Sequence, residues 1–203
     1  MQSYDGYFAQ KSPELSKIVA NSSNGDRINP IYSEVPLYFA YGSNINLNQM
    51  AVRCPDAKVV EPAVLENYEL LFRGNGSSFG VATIAPKEGS QVQGLLWKIT
   101  PYCEMSLDIY EGYPRLYEKQ AITLCTKSGK QVQAMVYVMT HEKERLPTMP
   151  TRSYYTGIQE GFRQNGLPEQ ALKDALSNLI HETRTMERRN FKHKGKENNR
   201  HER

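Results

Sequence analysis

The sequence predicts an α+β domain whose sheet is mixed, largely antiparallel and barrel-like, with helices packed around it. Three observations carry this: strand-like runs crowd residues 37–99 and return over 117–139, one helical period interrupts them at 101–111, and two amphipathic segments follow residue 152. With 203 residues, 39% hydrophobic and 23% charged, the chain suits one domain with extensions and is too apolar for disorder.

Residues 1–35 are rich in Ser, Asn, Asp and Tyr and read as a polar arm with one helical turn over 13–20. The domain is expected over 36–181. It opens on LYFAY at 37–41, a compact buried strand stopped by Gly42, and a short helix over 45–53 ends at Cys54-Pro55. Strands are expected at about 57–65, 68–73, 80–85 and 91–99, separated by Asn67, Gly74-Asn75-Gly76 and Lys87-Glu88-Gly89-Ser90, all turn formers. Thr100 suits a cap, Pro101 a first helical position and Gly112 the residue just past the end, which brackets a helix over 101–111.

A hairpin follows, 117–125 and 130–139, joined by Lys127-Ser128-Gly129. Its second strand alternates Val132, Ala134, Val136 and Val138 with Gln131, Gln133, Met135 and Tyr137, the mark of a half-buried antiparallel strand. A helix over about 153–164 puts Tyr154, Tyr155, Ile158 and Phe162 on one face. A last helix from Pro168 stacks Ala171, Leu172, Ala175, Leu176, Leu179 and Ile180. Beyond Arg184 the apolar stripe ends, and 182–203 read as a basic tail.

That tail holds eight Lys or Arg against four Glu, a net +4 in a chain totalling +3, so the body is close to neutral. Phosphate binding needs a basic face on the folded part, so nucleic acid is not an expected partner. The longest apolar run is six residues, 134–139. A membrane span needs about 20 and a signal-peptide core roughly 7–15, so neither insertion nor export is expected and a cytoplasmic location is. Cys54, Cys103 and Cys125 form no CxxC, and the four histidines have no ligand-like spacing, so no disulfide framework, metal or cofactor follows. The oligomeric state is not legible.

Two segments hold candidate chemistry. Tyr41-Gly42-Ser43-Asn44 sits between a buried strand and a helix start, where backbone N–H groups and a small hydroxyl can hold a carboxylate or an oxyanion. The same tetrapeptide also makes an ordinary tight turn with Ser43 or Asn44 as a helix cap. In LDIYEGYP at 107–114, Glu111 falls at the negative end of a helix with Asp108 one turn earlier. Both raise its pKa above about 4.3, and burial against Tyr110 or Tyr113 raises it further. An acid so tuned accepts a proton and returns it near neutral pH; left in water it is only a solvated acid at a helix end.

Together these segments resemble the gamma-glutamylcyclotransferase family. The resemblance rests on FAYGSN at 39–44, QMAVRCP at 49–55, GVATIAP at 80–86, VQGLLWKI at 92–99, LDIYEGYPRLYEK at 107–119 and SYYTGIQEG at 153–161, in the family's order and spacing over about 36–166. It implies a small mixed-sheet barrel flanked by helices. It also implies that Tyr41, Gly42, Ser43 and Asn44 form the loop holding a glutamyl moiety, and that Glu111 is the catalytic glutamate. Tyr117, with Tyr154 or Tyr155, would line the pocket, one tyrosine being hydrogen-bonded near the glutamate.

The implied partner is a small-molecule γ-glutamyl substrate, with no metal or cofactor. Its α-amine attacks its own side-chain carbonyl and releases 5-oxoproline with a free amine or amino acid, Glu111 serving as general acid/base. Two alternatives stand beside this: the same chemistry on a γ-glutamyl isopeptide or amine, and a catalytically idle binding module of the same fold. The intact glutamate argues against the second.

Overall fold

The computed structural model of the chain describes residues 36–74, 79–141 and 145–201, with side chains as far as Arg189. The arm expected over 1–35, with its helical turn, lies outside these residues. Five strands among the described residues, β1 (Leu37–Ala40), β2 (Lys58–Gly74), β3 (Gly80–Lys98), β4 (Tyr117–Thr126) and β5 (Gln131–Met139), close into a barrel ordered β1-β3-β2-β4-β5. The pairings are antiparallel except the closing one, where β5 meets β1 in parallel at Tyr38 and Met135. The closing contacts are short: β2 meets β4 at Ala63 and Val64, opposite Thr126 and Cys125, and β1 meets β5 at the one pair just named. Around the barrel lie α1 (Leu47–Arg53), α2 (Pro101–Glu111), α3 (Arg152–Gln164) and α4 (Gln170–His201). The α+β class and the barrel-like sheet are as the sequence predicts.

One expectation is corrected. The four short strands expected over 57–99 are two long ones, paired as a single hairpin. Glu66 faces Gln91 and Tyr68 faces Pro86, so Asn67 alone stands opposite four residues, 87–90. Asn67 and Gly89 both take positive φ, 60° and 73°, and the Gly89 N–H donates to Asn67 Oδ1 at 3.1 Å. Turn-forming residues here build a bulge that bends the hairpin while each strand keeps its partner.

Helix α2 has the bounds its local signals dictate. Thr100 Oγ1 accepts from the Cys103 N–H at 3.1 Å, Pro101 starts the helix, and Gly112 takes the left-handed conformation at φ 65°. The Gly112 N–H returns to the Asp108 and Ile109 carbonyls, so Glu111 is the last helical residue, held by a formed cap.

Phe39, Phe72, Leu95, Leu96, Ile99 and Leu124 are fully buried in the core, which α3 covers with Ile158 and Phe162 and α4 with Leu172, Ala175 and Leu179. Leu176 is half-buried and Ile180 exposed, so the apolar stripe of α4 narrows toward its end. The buried Arg73 of β2 pairs with Glu182 of α4 at 3.0 and 3.3 Å, and the helix runs on through residue 182 without a break. No helix among the described residues is long and apolar enough to cross a membrane.

Helix α3 is clamped onto the chain just after β1. Asn46 Nδ2 donates to the Gly157 carbonyl at 2.9 Å, Gln164 Oε1 accepts from the Leu47 N–H at 2.8 Å, and Asn165 Nδ2 donates to the Ile45 carbonyl at 3.0 Å. Gly161 makes the approach possible, because a Cβ there would lie 2.7 Å from the Asn46 nitrogen and 2.8 Å from Ile45 Cγ2. Gly161→Ala pushes against backbone, which yields less than a flexible side chain. Thermal unfolding should show it destabilised by about 1–3 kcal/mol; an unchanged Tm would mean that α3 shifts freely.

Candidate active site

The 41–44 turn leaves β1 and passes through a single 3₁₀ turn, Ser43–Ile45, before Asn46 caps α1 by accepting from the Asn48 and Gln49 N–H groups. Of the two readings of YGSN, the capping residue is thus neither Ser43 nor Asn44. Both are buried, and with Tyr41 and Gly42 they line a cavity shared with Tyr38, Ala82, Glu111, Tyr117, Tyr137 and Tyr154. Residues of β1, β3, β4 and β5, of the turn after β1, and of α2 and α3 therefore converge on one point. The Trp97 indole N–H donates to the Asn44 carbonyl at 3.1 Å and ties the turn to β3.

Asn44 Nδ2 donates to Glu111 Oε1 at 2.8 Å and to Tyr38 Oη at 2.9 Å. The asparagine amide thus bonds the glutamate directly and links it to a tyrosine hydroxyl nearby. Burial pushes the Glu111 carboxyl up to about 7, and the Arg53 charge and the Asn44 bond oppose that rise. The residue keeps some exposure through its place at the helix end, while its carboxyl is enclosed by the cavity wall.

The cause expected from the sequence is corrected here. Asp108 does not drive the shift, because it is engaged elsewhere: Lys119 Nζ lies 2.8 Å from its Oδ1, and Tyr137 Oη donates to the same oxygen at 2.5 Å. Tyr110 and Tyr113 are exposed, and neither lines the cavity that encloses the Glu111 carboxyl.

The phenols around the acid are fixed by backbone. Tyr41 Oη donates to the Tyr137 carbonyl at 2.6 Å and Tyr117 Oη to the Ala82 carbonyl at 2.5 Å, while Tyr154 Oη accepts from the Ala82 N–H at 3.1 Å. Burial first, and then nearby charge, raise Tyr38, Tyr41, Tyr117, Tyr137 and Tyr154 above the ordinary tyrosine range, so all stay neutral hydroxyls at pH 7.

Tyr155 does not reach the cavity; its ring packs toward Phe72, with centroids 6.3 Å apart. Consecutive helical residues point about 100° apart, so Tyr154 reaches the cavity while Tyr155 packs on the core beside it. Sequence reading missed Tyr38, Tyr137, Ala82 and, just outside the wall, the role of Arg53, and it placed Tyr110 against Glu111 rather than under Arg53. The Arg53 guanidinium lies 3.7 Å over the Tyr110 ring, and Tyr110 Oη shares a hydrogen bond with Ser43 Oγ at 3.0 Å.

A larger groove, about 400 Å³, lies between the bulge of the β2–β3 hairpin and α4. Its Glu69 and Lys87 pair with each other at 2.8 Å, its Asp174 accepts from Gln170 Nε2 at 2.8 Å, and it gathers no buried titratable group. Among the described residues no three of His, Cys, Asp and Glu come together as a metal site.

Residues 38–156 match the family model described as gamma-glutamyl cyclotransferase, AIG2-like. The chain is 34% identical to a gamma-glutamylcyclotransferase of Homo sapiens over 157 residues, covering 74% of this chain and 81% of that one. It is 35% identical to one of Bos taurus over 139 residues, covering 65% and 72%. A solved gamma-glutamyl cyclotransferase structure superposes with a TM-score of 0.61 at 32% identity, covering 68% of this chain and 84% of that one. The chain belongs to the AIG2-like gamma-glutamyl cyclotransferase family and is an enzyme of that family.

A carboxyl raised in the folded state favours folding in its protonated form, and that contribution fades as pH climbs from the ordinary value through about 7. Glu111→Gln removes the ionisation. The variant should match the wild type in stability near pH 5 and exceed it above pH 7.5, on the order of 2 kcal/mol once partial solvent access is discounted. Denaturant unfolding at the two pH values checks this, and equal stability at both would mean that Glu111 titrates as an ordinary surface acid.

Proposed function

We propose that this enzyme cyclises the glutamyl part of a γ-glutamyl compound, releasing 5-oxoproline and a free amine or amino acid. The observation that carries the reading is the meeting of Glu111 with the 41–44 turn, the two joined by the 2.8 Å bond from Asn44. A carboxyl tuned to about 7 can take a proton in one step and give it back in the next.

In the first step the substrate's α-amine, in its free-base form, attacks the γ-carbonyl carbon, and Glu111 accepts the proton that the attacking nitrogen gives up as its new bond forms. The new C–N bond closes a five-membered ring, and the carbonyl electron pair moves onto oxygen. When that pair returns, the original amide C–N bond breaks, and Glu111 delivers its proton to the departing nitrogen. Backbone N–H groups of the 42–44 turn are the candidates to hold the oxyanion or the α-carboxylate. The tyrosine wall favours the folded-back glutamyl chain over its extended forms.

Release of 5-oxoproline from a panel of γ-glutamyl amino acids, isopeptides and amines tests the reaction and sorts the leaving group. Glu111→Gln should lose about 10² to 10⁴ in kcat; near wild-type turnover would remove Glu111 from the mechanism. Because the base form acts first, kcat/KM should fall about tenfold per unit as pH drops below about 7, and a profile flat down to pH 5 contradicts it.

Ring closure also needs the free α-amine. N-acylated substrates should therefore give no product, and amine release from them would mean hydrolysis by another route.

A further inference from the structure

We propose that Arg53, at the end of α1 and outside the cavity wall, is the positioning residue of this site: its guanidinium sets the Asn44 amide with Nδ2 toward Glu111 and lays positive charge beside the carboxylate.

Arg53 Nη1 donates to Asn44 Oδ1 at 2.6 Å and to Ser43 Oγ at 3.2 Å, and Nη2 donates to Gln49 Oε1 at 2.7 Å. Its plane rests on the Tyr110 ring, 3.7 Å from the centroid. The fork is thus held by α1 below, α2 above and the site turn in front. A guanidinium only donates, so the amide oxygen of Asn44 must face it. Both Nδ2 hydrogens are then left for Tyr38 and Glu111, and both are used. Without Arg53 the amide, nearly symmetric in shape, is free to turn and set its oxygen against the carboxylate.

The charge matters as much as the fork. The groups facing Glu111 from the other elements are Tyr38 of β1, Tyr41 after it, Tyr117 of β4, Tyr137 of β5 and Tyr154 of α3, all neutral phenols. Asp108, on the same helix as Glu111, is spent on Lys119 and Tyr137. Arg53 is the cation that opposes the cost of burying the ionised acid. A lysine can supply the charge but not three donors in one plane.

The kinetic part rests on the general-base role of Glu111 proposed above; the titration part does not. The full chain with carbon-13 at the glutamate carboxyls is titrated by NMR, the Glu111 signal being assigned by its loss in Glu111→Gln. The wild type is compared with Arg53→Gln and Arg53→Lys, and kcat/KM for 5-oxoproline release is followed against pH. In Arg53→Gln the Glu111 midpoint and the acidic limb should both move up by about half a unit or more, with kcat down about tenfold or more. Arg53→Lys should restore the midpoint and leave kcat low, because charge returns and the fork does not.

Arg53→Gln that leaves midpoint and limb in place overturns the proposal. If that variant fails to fold, Arg53→Lys decides alone, and wild-type kcat in it is the contrary result. Should Glu111→Gln keep full turnover, the reaction scheme fails while the NMR midpoint still judges Arg53.

Discussion

The side-chain amide of Asn44 joins groups that would otherwise be incompatible. A carboxylate taken out of water is costly, and a cage of neutral tyrosines does little to repay it. The amide offsets part of the cost by donating to Glu111, and it can do so only because its oxygen is occupied by Arg53. A guanidinium in direct contact would hold the acid ionised at all ordinary pH values, whereas no cation nearby would keep it protonated. With one amide between them, charge reaches Glu111 weakened, and the proton is held at an intermediate strength.

The tyrosine wall adds rigidity. The Tyr41, Tyr117 and Tyr154 hydroxyls each bond a main-chain group of β3 or β5, so the barrel's backbone fixes their positions before any ligand arrives. Hydroxyls that already have partners need no reorganisation during reaction, which is where a preordered site gains over water. The clamp of α3 on the 43–47 segment serves the same end, since it sets Tyr154 against Ala82 and the turn at once.

What the sequence disclosed depended on how local each signal was. Thr100, Pro101 and Gly112 specify α2 within a dozen residues, and the helix has the bounds they imply. Asn67 and Gly89 also announce positive φ locally, but whether such residues reverse a chain or bulge it is decided by the strand lying opposite. The alternation in β5 holds over its first half and then gives way to continuous burial from Val136 to Met139, where Tyr137 turns out to be a wall residue. Glu111 and the turn came through family resemblance. Arg53 lay inside the QMAVRCP segment, yet nothing local marked it as a site residue, because its partners are assembled by the packing of α1 against α2.

The hydrogen bonds that build the cavity span long stretches of chain: Tyr41 reaches Tyr137, 96 residues on, and Tyr154 returns to Ala82 across 72. The barrel itself closes only when β5 arrives beside β1. Neither the barrel nor the cavity can be complete before β5 and then α3 have joined the residues that precede them. Contacts so distant are slow to form, and an unclosed sheet exposes unpaired strand edges. The site is therefore completed late in chain order, by the helix that bears Tyr154.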